Sequence, residues 1–174
     1  QRTKERNENE VESSTNPVSG YTHDSLLQQI YEAEMRIDLK LRKERVSDIT
    51  EAVKQQVTQL FEWAKTIPHF SELYLEDQCS LVKAGWNELL IAEFAHRSIE
   101  ANNNVLVLAN GFYINDQGAQ STGIGEIFQR VLTELVSKMR EMQMDKTELG
   151  CLRAVVLFNP GESASNMLLH HYIY

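Results

Sequence analysis

The sequence predicts an all-α fold, helices stacked in layers with one small β-hairpin set among them. Three observations carry that expectation. Apolar residues recur at helical spacing over several long stretches. The stretch 75–99 is apolar on nearly every side, which suits a helix in a middle layer. Residues 105–108 and 112–114 flank Ala109-Asn110-Gly111, and Asn-Gly supplies the positive φ angles that a tight hairpin needs.

Residues 1–24 are polar and include Pro17 and Gly20. They hold too little apolar surface to offset the entropy of ordering, and read as a linker. From Ser25 onward, Leu26, Leu27, Ile30, Ala33 and Ile37 make a first amphipathic helix. Residues 40–45 read as a basic, solvated connector. Asp48 and Glu51 have capping-box spacing, with Ser47 a competing N-cap. Ile49, Ala52, Val53, Gln56, Val57, Leu60, Ala64 and Ile67 form the next stripe. Pro68 ends it, lacking an N–H and disfavouring helix in the residue before it.

Phe70, Leu73 and Leu75 make an apolar connector expected to cross the core. In the helix that follows, Trp86, Leu90, Phe94 and Arg97 align along one side. Asn102, Asn103 and Asn104 form a turn before the hairpin. After a polar loop, Ile124, Ile127, Phe128, Val131, Leu132, Leu135, Val136 and Met139 define another helix, with Glu126, Gln129, Arg130, Glu134 and Lys138 on its outer face. Asp145 and Glu148 repeat the capping-box spacing and open the last helix, which Asn159-Pro160-Gly161 closes.

Composition narrows the function classes. A chain of 174 residues, 42% apolar, fits one domain with one core. A net charge of -8 argues against a nucleic-acid-binding surface, which needs clustered Lys and Arg. The two cysteines, Cys79 and Cys151, lack metal-binding spacing and read as inert thiols, with no zinc site expected within the chain. No charged-then-apolar leader opens the chain, and its longest apolar run, 89–94, is too short to span a bilayer. A soluble, intracellular protein is expected. For catalysis, Glu93 and His96 form one ExxH pair facing one way on a helix. A carboxylate-bridged metal bundle needs two such pairs, and His170 and His171 lie in an aperiodic tail. The phosphate-loop, nucleophile-elbow, dinucleotide and zinc-protease motifs are all missing. An enzyme is not expected.

Two polar residues stand in apolar stripes. Gln56 is either an amide bonded to backbone at the edge of the core or a polar anchor in an apolar cavity. Arg97 is either half of an internal ion pair or backbone clamp, or the anchor for an anionic, otherwise apolar ligand. Spacing alone favours the first alternative for each.

The stretches FEWAKTIPHF, LEDQCSLVKAGWNELLIAEFAHRSI and RVLTELVSKMREMQMDKTELGCLRAVVLFNP closely resemble nuclear receptor ligand-binding domains of the retinoid X receptor and ultraspiracle type. The resemblance is near-continuous over residues 47–160. It implies a layered antiparallel helical sandwich, incomplete at its C-terminal end. Residues 1–24 then match a hinge that follows a DNA-binding domain, 25–160 the N-terminal two-thirds of the ligand-binding domain, and 161–174 a divergent tail. By resemblance, Ile49, Ala52, Val53, Gln56, Trp86, Asn87, Leu90, Ile91, Phe94, Arg97, Leu108, Ala109, Ile124, Ile127, Phe128 and Val131 line a pocket for a retinoid-like or fatty-acid ligand. The arginine binds the carboxylate.

Lys65 and Lys83 match basic positions flanking the groove for a coactivator LxxLL helix, and Arg130 and Glu134 fall on a dimer surface. No cofactor is implied, and zinc belongs to the parent's DNA-binding domain. The implied partners are other nuclear receptors, the ecdysone receptor among them, coactivators, and DNA through the zinc-finger domain. The implied location is the nucleus, with no membrane partner. Val53 stands where these receptors usually carry a smaller alanine, the turn at 102–104 is one residue longer than the vertebrate pattern, and the resemblance stops after Pro160. Loss of a covering layer over Trp86 and Phe128 is expected.

Overall fold

In the computed structural model, which describes residues 23–43, 49–102, 104–109 and 112–159, the first stripe becomes α1 (His23–Lys43). Ile30, Ala33 and Ile37 face inward. The helix does not stop at the basic stretch, because Lys40, Leu41, Arg42 and Lys43 are all good helix formers with no breaker among them. Lys40 is therefore no loop residue. Its Nζ lies 2.6 Å from Glu62 of α2 (Ile49–Thr66). The last two residues of the expected linker, His23 and Asp24, already belong to α1, while residues 1–22, the Ser47 and Asp48 caps, Asn103, the Asn110-Gly111 turn and the tail from Pro160 lie outside the described residues.

Helix α2 ends two residues before Pro68, as the missing N–H requires. It buries Ala52, Gln56, Gln59, Leu60, Trp63 and Ala64, while Val57 sits at the rim and not in the stripe. His69 turns the chain in the left-handed region at φ 66, and a single 3-10 turn (Phe70–Glu72) follows. That turn drops Phe70 into the core, edge-on to Phe158 at 6.2 Å between ring centroids. The connector does not cross the core as a whole. Leu73 is half-buried, but Tyr74 and Leu75 are exposed where the chain swings out to begin α3 (Leu75–Arg97).

Helix α3 is the middle element, touching α2, the hairpin and the last two helical segments. Its apolar surround is real only in part. Val82, Leu89, Leu90, Ala92 and Ala95 are buried, whereas Trp86 is 45% exposed because nothing among the described residues covers that side. Ser98 ties the helix end to the hairpin: its Oγ donates to the Phe94 carbonyl at 2.7 Å and accepts from the Val107 amide at 2.8 Å.

Strands β1 (Val105–Ala109) and β2 (Phe112–Asn115) pair antiparallel, with Leu106 opposite Ile114 and Val107 opposite Tyr113. The polar loop expected next holds a short helix, α4 (Asp116–Ser121), capped by Asn115 accepting from the Gly118 amide at 2.9 Å. Then α5 (Gly125–Arg130), a π-helical segment (Val131–Val136) and α6 (Ser137–Glu141) follow without a break in helical backbone. Phe128, Val131, Leu132, Val136 and Met139 are buried, so Phe128 keeps its cover. Ile124 and Ile127, from the same predicted stripe, are exposed, since they precede the turns that pack on α3. From α6, Arg140 donates to the carbonyls of Ile99 at 2.8 Å and Ala101 at 3.3 Å.

The last helix, α7 (Lys146–Leu157), opens with the predicted capping box, Asp145 and Glu148 exchanging side-chain-to-amide bonds of 2.9 Å in both directions. It packs against α1 and α3, closest at Gly150, where an added Cβ would lie 2.5 Å from Ile30. One apolar cluster joins Ile37, Leu60, Trp63, Phe70, Leu89 and Leu157. A second joins Ala95, Leu106, Phe128, Leu132 and Met139, so α3 serves both. Cys79 and Cys151 are unbonded and half-buried, less enclosed than expected. Among the described residues no helix is long and apolar enough to cross a membrane.

Candidate ligand site and the buried charges behind it

Glu93 and Arg97 are four residues apart on α3 and so lie one above the other on its surface. Arg97 Nη2 donates to Glu93 Oε1, and Nη1 donates to the Leu108 carbonyl of β1. Its guanidinium carbon also lies 5.9 Å from the centre of the Phe94 ring. Both local alternatives for this arginine, ion pair and backbone clamp, are present at once.

The second oxygen of Glu93 accepts from Arg153 Nη2 at 3.4 Å. Arg153, on α7, is fully buried, and its Nη1 donates to both oxygens of Glu34 on α1, at 2.8 and 3.0 Å. Its guanidinium lies flat to Trp63, 3.9 Å from the ring centroid. Glu34, Arg153, Glu93 and Arg97 thus form a line of alternating charges from α1 to the hairpin. Two anions and two cations cancel, which is the condition under which charges can stay in a core. Burial still outweighs the pull of Arg153 and holds the Glu34 carboxyl above its ordinary range.

The ExxH pair does not act as one. Glu93 turns to the two arginines, while His96 Nε2–H donates to the Met144 carbonyl at 2.9 Å. Burial, reinforced by Lys146, holds the His96 pKa below its ordinary value. Among the described residues, no group of three or more His, Cys, Asp or Glu could hold a metal ion.

Gln56 is only 3% exposed, and among the described residues neither atom of its amide has a hydrogen-bond partner. A backbone bond at the edge of the core is therefore not what it makes. Gln59 and the Trp63 indole nitrogen, one and two turns along the same face, are also buried and unpartnered, and the sequence reading passed over both. On α3, Glu88 is 7% exposed with both oxygens unpartnered, and burial pushes its carboxyl up.

Helix α2 meets both α3 and β1, and β1 is held to α3 through Arg97 and Ser98. Ala52, Gln56, Leu90 and Ala109 are buried within these three elements, with Ile91, Phe94 and Leu108 half-buried. Phe128 and Val131 are buried on the neighbouring helix. Trp86, Asn87, Ile124 and Ile127 lie at the surface. The side chains of Ile49 and Val53 lie outside the described residues. Lys65 and Lys83 are exposed, and Arg130 and Glu134 face each other at 3.8 Å, each about one-third exposed.

The network could have been suspected from Glu93 and Arg97 at helical spacing. Nothing local announces Glu34 and Arg153, which are 119 residues apart.

Comparison with known proteins accords with this architecture. The family described as the ligand-binding domain of nuclear hormone receptors matches residues 38–171. The "Retinoic acid receptor RXR" of Biomphalaria glabrata is 55% identical over 166 residues, which cover 92% of this chain and 37% of that protein. The chain therefore spans well under half the length of this curated relative. The helical layers with their small two-stranded sheet are consistent with such a ligand-binding domain. The chain belongs to the nuclear hormone receptor ligand-binding domain family, and within it to the retinoid X receptor type.

Proposed function

We propose that this chain is the ligand-sensing part of a nuclear transcription factor of retinoid X receptor type. It holds an elongated lipophilic molecule between α2, α3 and the hairpin, with the molecule's polar end toward Gln56 and Arg97. The observation that carries this reading is the Gln56 amide, buried in an apolar lining with its donors and acceptor unused. Leaving such a group unsatisfied costs about 1–3 kcal/mol, which an occupant with a polar end recovers. The expected retinoid-like or fatty acid and a neutral lipophile of the same length differ in the group that they would present to Arg97.

Ligand acts by population shift, favouring the conformation that presents a coactivator groove. Exposed Lys65 and Lys83 suit the carbonyl-rich end of an LxxLL helix, where a helix carries partial negative charge. The receptor works as a heterodimer with another nuclear receptor, the ecdysone receptor being one candidate, on DNA bound through a zinc-finger domain. Arg130 and Glu134 contribute to the dimer surface.

A thermal melt of the chain with saturating C16–C20 lipophiles, acids and alcohols alike, tests the sensing role. Ligand at a hundredfold excess over Kd adds about 2.7 kcal/mol, or roughly 5–11 °C at this size. A cooperative transition that no member of the panel moves would remove the sensing role. A second reading, a ligand-independent heterodimer partner, is favoured by one observation: Arg97 is already paired within the chain.

A further inference from the structure

A guanidinium that anchors a carboxylate meets it with its terminal nitrogens. Each terminal nitrogen of Arg97 already gives one of its two N–H groups away, one to Glu93 and the other to the Leu108 carbonyl, and its charge is matched by Glu93. Glu93 is held in turn by Arg153, so swinging it aside would take a partner from a fully buried cation. Nor, among the described residues, is there an excess of positive charge nearby. Glu34 and Glu93 balance Arg97 and Arg153, Lys146 is paired with Asp38 at 3.3 Å, and His96 is turned to the Met144 carbonyl. A ligand carboxylate placed here would be a third anion beside two cations in a poorly solvated interior, where an unbalanced charge is expensive.

We propose that Glu93 occupies the place of a ligand carboxylate on Arg97, so that the site selects an uncharged lipophile, a long-chain or polyene alcohol or amide, and discriminates against the corresponding acid. This rests on the ligand-site reading given above and specifies the chemical class that the site takes. Gln56 is the complementary half. Its unused amide offers both donors and an acceptor, which suits a hydroxyl or an amide, groups that also donate and accept. A carboxylate only accepts. Glu93 is thus a specificity-determining residue, acting through the arginine that it neutralises.

The test compares 9-cis retinoic acid with 9-cis retinol, titrated into the chain and into Glu93→Gln at one pH. The unaltered chain should bind the alcohol about tenfold or more tightly than the acid, equivalent to about 1.4 kcal/mol. Glu93→Gln keeps the side-chain volume and releases a positive charge, so it should shift the ratio of acid to alcohol affinity toward the acid by a similar factor. Should that variant not fold, the preference of the unaltered chain decides alone. Acid binding as tight as alcohol binding overturns the proposal and leaves the ligand-site reading standing. Binding of neither molecule to either form removes both.

Discussion

Replacing Arg153 with methionine should be among the most damaging single changes this fold can suffer. The methionine keeps much of the length that packs beside Trp63, so the volume lost is small. What disappears is the guanidinium that meets both oxygens of Glu34 and one of Glu93, in a position with 0% exposure. Removing one partner from a buried ion pair costs about 3–5 kcal/mol, chiefly because the other partner stays buried and uncompensated. The stacking on Trp63 is worth roughly 2 kcal/mol when desolvated, and a sulfur–aromatic contact returns about 0.3–1.5 of it. A loss of about 3.5–6.7 kcal/mol follows from these terms, a fall of roughly 7–27 °C in Tm for a chain of this size. Urea denaturation followed by circular dichroism reads it directly. Adding Glu34→Leu to Arg153→Met should recover several kcal/mol relative to the sum of the single changes, because a matched apolar pair avoids the stranded charge. If Arg153→Met stays within about 1 kcal/mol of the parent, the four-charge line is not holding these helices together.

Glu88→Gln should stabilise the chain at neutral pH by about 1 kcal/mol, because the amide stays unpartnered but avoids the extra cost of a buried charge. Burial raises the folded-state pKa of Glu88 above 4.5. The penalty is therefore complete above the folded value, is relieved as the folded chain takes up a proton between that value and 4.5, and vanishes below; denaturation of both forms across pH should show the advantage fading in that window. Gly150→Ala should destabilise by about 1–2 kcal/mol in the same assay. Its Cβ would stand 2.5 Å from Ile30 and 3.0 Å from Glu34, which the gain in helix propensity only partly offsets. Asp145→Ala removes the side-chain half of the capping box, the bond from the Glu148 amide, and should cost about 1 kcal/mol, with faster amide exchange in the first turn of α7.

What the sequence revealed and what it hid follow one division. Signals carried by neighbouring residues were legible: Pro68 ending α2, Asp145 and Glu148 capping α7, and the short apolar runs flanking Asn110-Gly111 that became β1 and β2. The family was legible from the stretches around Trp63, Trp86 and Arg153, which comparison with known proteins supports. Partnerships over long separations were not. Arg153 read as one more residue of an apolar helix, because its partners lie on α1 and α3. Glu93 was noticed for the wrong neighbour, His96, when the residue one further along, Arg97, was the one it meets. Exposure was the other weak point. Trp86, Ile124 and Ile127 have core-like spacing, yet what covers a face depends on elements that periodicity does not locate.

The π segment at Val131–Val136 sets how the two halves of the helix from α5 to α6 are turned against each other. Each of its bonds spans one residue more than an α turn, which is how a helix absorbs an inserted residue without unravelling. One residue corresponds to about 100° of rotation about the axis. The insertion therefore sets the angular phase between two halves that face different neighbours: Phe128 before it, and Met139 with Arg140 after it. Deleting a single residue here would restore regular hydrogen bonding along the whole helix. It would also carry Arg140 about a quarter-turn away from the Ile99 and Ala101 carbonyls that it now clamps. Relatives with a one-residue gap at this point should thus lack an arginine at the position of Arg140, or carry a compensating insertion before Ser137.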